Sequence, residues 1–463
     1  MPEPARPNPS LFVLDIPRAA DRARIAERLI RDAPGEDGSP LAPLGGNRYV
    51  VSRAVAKKLA RAHPALLDWL GRLDGVALAR RMRADQGVAL YGALDPADPT
   101  HRARGARNRA PASPWHYKEI RLAAALRHLQ RQNPGGLARV RVAQIDTGFT
   151  EHPCFGSWRG GQNPHIRADL GLNFLESGEP PRDPFEDQYP GFPGHGSRIA
   201  SIIAANNPGL MQGAAPGVSL VPYRVTNTVV INFFGNVTRL GEAIDHAWRH
   251  NGCQVINISM GDPCAPGEEH GAAVDAAYEA GVIIVAAAGN VTSEVTYPGR
   301  HARTITCGGV GPSRQPWSGG ARGPRVDVCG PADKIWRASW AKDKPKANAT
   351  NAKKKTNKPT RKPAWTPVYA GNGDGTSYAT AHISGLACLW TALHQRDLAA
   401  YPHRWQIVEA FRQTLGDSSR QPDDWDERLF GRGIVDAERL LKAPLPAPDT
   451  LRYEEDRAAD DLA

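Results

Sequence analysis

Val140-Arg141-Val142-Ala143-Gln144-Ile145-Asp146-Thr147-Gly148 is the stretch on which the fold turns. Up to Ile145 it is apolar and β-branched, broken only by Arg141 and Gln144. That composition suits a strand covered on both faces, and it stops at an acid followed by a glycine. Three later runs have the same character: residues 220–225, Val255-Ile256-Asn257-Ile258-Ser259 and Val282-Ile283-Ile284-Val285-Ala286-Ala287. Segments with helical spacing, 198–206, 240–249 and 272–280, fall between them. Strand and helix in alternation predict an α/β domain with a doubly wound, mostly parallel sheet. Ligands of such sheets bind beyond the carboxyl ends of the strands. Asp146, Ser259-Met260-Gly261 and Gly289-Asn290 each follow a strand directly and are expected to converge there.

Outward from this core, the N-terminal residues 1–95 read as a small α+β domain. Strands are expected at 10–15, 47–51 and 75–79, and helices at 19–32, with Ile25, Leu29 and Ile30 on one face, and at 52–63. Residues 96–115 hold Pro96, Pro99, Gly105, Pro111 and Pro114 among arginines and read as an exposed linker. The main domain then runs over 116–441, with a Lys-rich insertion at 341–363 and an acidic tail at 442–463.

The chain has 463 residues, 41% of them hydrophobic, and a net charge of +10. The insertion alone carries +8, so little basic charge remains for a folded nucleic-acid surface, and nucleic acid is not an expected partner. Residues 449–463 carry −4. The start, Met1-Pro2-Glu3-Pro4, is not a basic segment followed by an apolar one, and the longest apolar run, 281–289, is too short to cross a bilayer. A cytoplasmic location with no membrane partner is expected. Six cysteines without a Cys-x-x-Cys pair read as reduced and structural; Cys253–Cys264 or Cys307–Cys329 would bridge only in an oxidising compartment. High Ala, Arg, Gly and Pro content points to a GC-rich bacterial source.

Three small-residue islands carry chemistry: Asp146-Thr147-Gly148, Gly194-His195-Gly196-Ser197 and Gly375-Thr376-Ser377-Tyr378-Ala379-Thr380-Ala381. A serine hydroxyl becomes a useful nucleophile only when a base takes its proton. His195 can be that base, Asp146 can hold its imidazole, and Ser377 can attack a carbonyl carbon. Gly194 and Gly196 would let the backbone pass close to a substrate, and Gly375 would permit the turn before the nucleophile. Asn290, in Ala287-Ala288-Gly289-Asn290, is the side-chain donor for the oxyanion, together with the Ser377 N–H.

These segments, in this order, resemble the subtilase family of serine peptidases. Gly213-Ala214-Ala215-Pro216, Tyr297-Pro298 and Gly431-Arg432-Gly433-Ile434-Val435-Asp436-Ala437 add to the likeness, which covers about 116–441. The resemblance implies a serine endopeptidase acting on proteins or peptides, with no organic cofactor. It places Ser259, Met260, Gly261, Ala288 and Gly289 in the walls of the primary specificity pocket and Thr296 at its floor, favouring small or medium side chains. A segment at 229–235 would pair with the substrate backbone. Asp183, Glu186 and Asp187 are the residues a calcium ion would use, although a solvated acidic loop is the preferred reading there. The N-terminal domain resembles the inhibitory propeptides of the family in pattern. The chain departs from the family at Arg198, where histidine is usual, at Tyr378 for methionine, at Ala381 for proline, and in the Lys-rich insertion. The competing reading is a catalytically silent scaffold that binds protein.

Overall fold

A computed structural model describes residues 11–16, 19–32, 41–45, 48–51, 53–62, 70, 72–73, 78–82, 114–185, 192–207, 210–229, 231, 236–262, 268–290, 294–342 and 365–455.

The N-terminal unit comprises β1 (Leu11–Asp15), α1 (Ala19–Asp32), β2 (Leu41–Gly45), β3 (Arg48–Val51), α2 (Arg53–Ala62) and β4 (Leu78–Met82). Its sheet has the order β2-β3-β1-β4, and each neighbouring pair is antiparallel. This is the β-α-β-β-α-β arrangement of ferredoxin-like domains. Leu14, Ile25, Leu29, Val51, Val55 and Leu59 form its core. Ile30, expected on the apolar face, is 42% exposed. Two details of the sequence reading change. The strand expected at 75–79 is β4 at Leu78–Met82, and β2, interrupted by Pro43, carried no alternating signal.

The larger unit opens with α3 (Trp115–Glu119) and α4 (Leu122–Gln132), then β5 (Arg141–Asp146), α5 (His195–Ala204), a short β6–β7 hairpin (Asn206–Asn207 and Met211–Gln212) and β8 (Ser219–Arg224). It continues through α6 (Asn236–Arg249), β9 (Val255–Ile258), α7 (Glu268–Glu279), β10 (Ile283–Ala287), β11 (Ile305–Val310) and β12 (Val328–Pro331). β5 and β8 to β12 form a six-stranded sheet in the order β12-β11-β10-β9-β5-β8, parallel throughout. The chain steps from β5 to β8 on one side and resumes at β9 on the other. The order therefore reverses between β5 and β9, the crevice where such sheets take ligands.

Two cores cover the sheet faces. Val142, Val255, Ile283 and Val285 face α5 and the long helix α8 (Thr376–Leu398). Ala143, Ile145, Ile256, Ile258 and Ile284 face α6 and α7. Adjacent strand residues point to opposite faces, so a strand apolar at consecutive positions feeds both layers. α8 is buried from Thr376 to Ala392, which removes the amphipathic stripe of a surface helix. α9 (Gln406–Ser418) packs beside it, and two short helices, α10 (Glu427–Phe430) and α11 (Ala437–Lys442), follow.

The Lys-rich stretch is flanked by an antiparallel ribbon, β13 (Ile335–Lys342) and β14 (Trp365–Gly373). Residues 343–364 themselves lie outside the described residues, as do residues 96–113 of the linker and the end of the acidic tail, while the last expected linker residue, Trp115, opens α3. Cys307 and Cys329, on neighbouring strands, are separate buried thiols, and Cys264 lies outside the described residues. Among the described residues no helix is long and apolar enough to cross a membrane.

Candidate active site

The three islands meet at the switch crevice. Asp146 is the last residue of β5, and its Oδ1 accepts the backbone N–H of Thr147 and a hydrogen bond from His195 Nδ1, both at 2.7 Å. His195 opens α5 and is nearly buried. With Nδ1 committed to the carboxylate, Nε2 is the free base. Ser377 is the second residue of α8, so its N–H is among the first-turn donors that have no partner within the helix. Its hydroxyl donates to the Ser259 carbonyl at 2.9 Å rather than to His195. Catalytic hydrogen bonds commonly form or tighten only when substrate is bound.

Asn290 follows β10. Its Oδ1 accepts from the Thr376 N–H at 2.9 Å and the Thr376 hydroxyl at 2.8 Å. Those bonds identify the oxygen and turn Nδ2 the other way, past Gly375. Gly375 has φ +142°, a backbone that glycine tolerates and a side chain resists.

The other glycines act differently from the expectation. A Cβ on Gly196 would lie 2.1 Å from the Gly148 carbonyl, and one on Gly194 would meet Phe185 and Trp340, each at 3.1 Å. Both glycines let the His195 turn pack against the protein itself, so close approach to substrate is not what requires them.

Asp183 was not among the expected catalytic residues, yet it holds the site together. Its carboxylate accepts from the Thr147 hydroxyl at 2.6 Å, the Gly194 N–H at 2.8 Å and the Phe185 N–H at 2.9 Å. Thr147 Oγ1 in turn accepts the Gly196 N–H at 3.0 Å. The loop after β5 and the turn carrying His195 are thus tied by one carboxylate. Burial pushes the Asp183 carboxyl above its ordinary pKa, against the pull of those hydrogen bonds and of Arg198. The solvated acidic loop expected here does not include Asp183, which points inward and is 7% exposed. Glu186 and Asp187 lie outside the described residues. Among the described residues no cluster of three or more acidic, histidine or cysteine side chains could hold a metal.

The pocket residues also assemble. Ser259 Oγ donates to the Ser377 carbonyl at 3.0 Å and accepts from Asn257 Nδ2 at 3.0 Å, so its side chain ties β9 to the nucleophile helix and leaves only its backbone for the wall. Met260 is buried, and the Gly261 N–H donates to the Val229 carbonyl at 3.1 Å. Of the expected substrate-pairing segment 229–235, only Val229 and Ile231 are described. Thr296 donates its N–H to the Ala288 carbonyl at 2.8 Å. Its side chain stands between the two walls: a Cβ on Gly261 would lie 2.3 Å from Thr296 Oγ1, and one on Gly289 would lie 2.7 Å from Thr296 Cγ2.

The sequence matches the description "Subtilase family" over residues 138–433. Subtilisin Savinase of Lederbergia lenta is 27% identical over 339 residues, covering 72% of this chain and all of that protein. M-protease of Shouchella clausii (strain KSM-K16) is 28% identical and covers 72% of this chain and 71% of its own. Among solved structures, MycP1 from the ESX-1 type VII secretion system superposes with a TM-score of 0.51 at 22% identity, covering 73% of this chain and 89% of that one, a likeness of fold. The chain belongs to the subtilase family and is a subtilisin-like serine endopeptidase.

Proposed function

We propose that Asp146, His195, Ser377 and Asn290 carry the hydrolysis, and that the enzyme cuts polypeptides after residues with small side chains. The observation behind the first part is the 2.7 Å bond between His195 Nδ1 and Asp146 Oδ1 beside the start of the Ser377 helix. With substrate in the crevice, the Ser377 hydroxyl turns from the Ser259 carbonyl toward His195 Nε2. His195 takes the proton as Ser377 Oγ attacks the carbonyl carbon, and Asp146 stabilises the imidazolium. Asn290 Nδ2 and the Ser377 N–H receive the oxyanion, with the first turn of α8 adding its positive end. His195 then protonates the leaving amine, and the ester on Ser377 remains. Water, deprotonated by His195, attacks the ester and regenerates the serine.

The second part rests on Thr296, which fills the space between Gly261 and Gly289. The N-terminal ferredoxin-like domain suits an intramolecular inhibitor, removed or retained, with residues 96–115 as the processing segment.

Incubation of wild type and Ser377→Ala, followed by intact mass and fluorophosphonate labelling, tests the reading. Labelling of wild type alone is the expected result, and cleavage within 96–115 in wild type alone identifies a propeptide. An unlabelled wild type would favour the silent scaffold, for which the Ser377–Ser259 hydrogen bond is the ground-state argument.

A further inference from the structure

Arg198 and Tyr378, two of the side chains that depart from the family pattern, are neighbours in the fold, and a third unusual group lies against them. Arg198 is on α5, one turn after His195; Tyr378 directly follows Ser377; Arg337 is on β13. The Ala338 N–H donates to Ser201 Oγ at 3.1 Å and lays β13 along α5. The Arg337 guanidinium sits 5.7 Å from the Tyr378 ring centroid. A Cβ on Gly373 would meet Arg337 Nε and Tyr378 Cζ, each at 3.0 Å, so that glycine makes room for both.

Arg337 is fully buried and Arg198 is 7% exposed. Arg337 Nη1 reaches only the Ala338 carbonyl, at 3.4 Å. Arg337 Nε and Nη2, Arg198 Nε and Tyr378 Oη make no well-aligned hydrogen bond among the described residues, although the Tyr378 hydroxyl and the Arg337 guanidinium are near enough to interact with one another. The charged groups around them are spent elsewhere. Asp146 serves His195 and Thr147. Asp183 serves Thr147, Gly194 and Phe185. Asp374 accepts the Lys334 N–H and lies against the Asp333 carboxyl. These carboxylates offset charge at a distance, but they accept none of the free N–H groups. Two buried guanidiniums close enough to repel one another, with no ion pair to either, are strongly unfavourable unless an acceptor of negative charge lies beside them. Burial and Arg337 bring Arg198 down to about 10, so it is still a cation at neutral pH.

We propose that Arg198, Arg337 and Tyr378 bind a small monovalent anion, chloride in ordinary solutions, behind the catalytic triad. A spherical ion can accept several N–H and O–H donors at once. The burial of all three side chains favours it over a phosphate or carboxylate ligand.

The test uses the full chain with Ser377→Ala, so neither self-cleavage nor the identity of the nucleophile affects the result. Its melting temperature is followed as sodium gluconate is replaced by sodium chloride, then bromide, at constant ionic strength. A saturable rise of at least about 3 °C is expected, since a ligand bound only by the native state raises its stability by mass action. Arg337→Met should abolish that rise and Tyr378→Phe should weaken it. A melting temperature indifferent to the anion, or a rise that survives Arg337→Met, overturns the proposal. Should Arg337→Met not fold, crystals of the Ser377→Ala chain in bromide decide. An anomalous peak within hydrogen-bonding reach of both guanidiniums supports the site, and ordered water alone in that position overturns it.

Discussion

The Thr296 hydroxyl lies 2.3 Å from the position that a side-chain carbon on Gly261 would take. With Gly289 on the other side, the threonine acts as a stop inside the primary specificity pocket. Thr296→Gly should open it. Peptides with leucine or phenylalanine before the scissile bond should gain at least about tenfold in kcat/KM, because each methylene accommodated in such a pocket contributes about 1–3 kcal/mol. Alanine substrates should change little. A wild type that already prefers phenylalanine at that position would refute the size argument.

Asn290 has two separable functions. Its Oδ1 anchors Thr376, and its Nδ2 is the proposed oxyanion donor. Asn290→Asp keeps an acceptor for Thr376 and loses the donor. It should lower kcat by about 10²–10³, the range for such donors, at nearly unchanged KM and melting temperature. Asn290→Ala loses both functions and should also melt earlier. If Asn290→Asp retained full turnover, the donor would have to be another group.

The strands on which this site stands were legible because each is apolar at consecutive positions, as a strand buried on both faces must be. Asp146, His195, Ser377 and Asn290 were legible because glycines flank them within a few residues. What escaped was tertiary. Asp183 lies amid prolines and charged residues, and nothing local shows that its carboxylate turns inward to Thr147 and Gly194. Gly196 looked like a concession to substrate because its true neighbour, the Gly148 carbonyl, is distant in sequence. The ribbon β13–β14 was hidden because the Lys-rich residues between its strands broke up the signal.

Asp183 acts on the chemistry only through the His195 turn. Asp183→Asn retains an acceptor but forces one of its N–H or O–H donors to face an amide. Displacing a catalytic base by about 1 Å costs on the order of 10²-fold, so kcat should fall by about ten- to a hundredfold while KM holds. Fluorophosphonate labelling should slow in parallel. A variant with unchanged kcat and a merely lowered melting temperature would show that the network serves stability alone.

Acid should unfold this protein through its buried histidines. His382 Nδ1 donates to the Tyr378 carbonyl at 2.6 Å, so its Nε2 accepts from His116 Nδ1 at 2.8 Å, and both rings are neutral. Burial pushes His382 from 6.5 down to about 4, His152 to about 4 and His270 to about 3. A histidine whose folded pKa is depressed contributes stability that is complete above 6.5 and is lost as pH falls through the folded value. A shift of that size at His382 corresponds to about 3 kcal/mol. Asp374, raised to about 6 chiefly by burial, has the opposite sign: its contribution is present below its ordinary 3.8 and is lost as pH rises through about 6. Burial raises Asp183 and Glu409 in the same sense, but His116, His246 and His394 are depressed as well, so the histidines outnumber the carboxyls. The melting temperature should therefore be level above pH 6.5 and fall steeply toward pH 4. His382→Gln should melt earlier than wild type at pH 7.5, and the gap should narrow at pH 4.5. A wild-type melting temperature that stays constant from pH 7 to pH 4.5 would show that these rings are not held neutral by the fold.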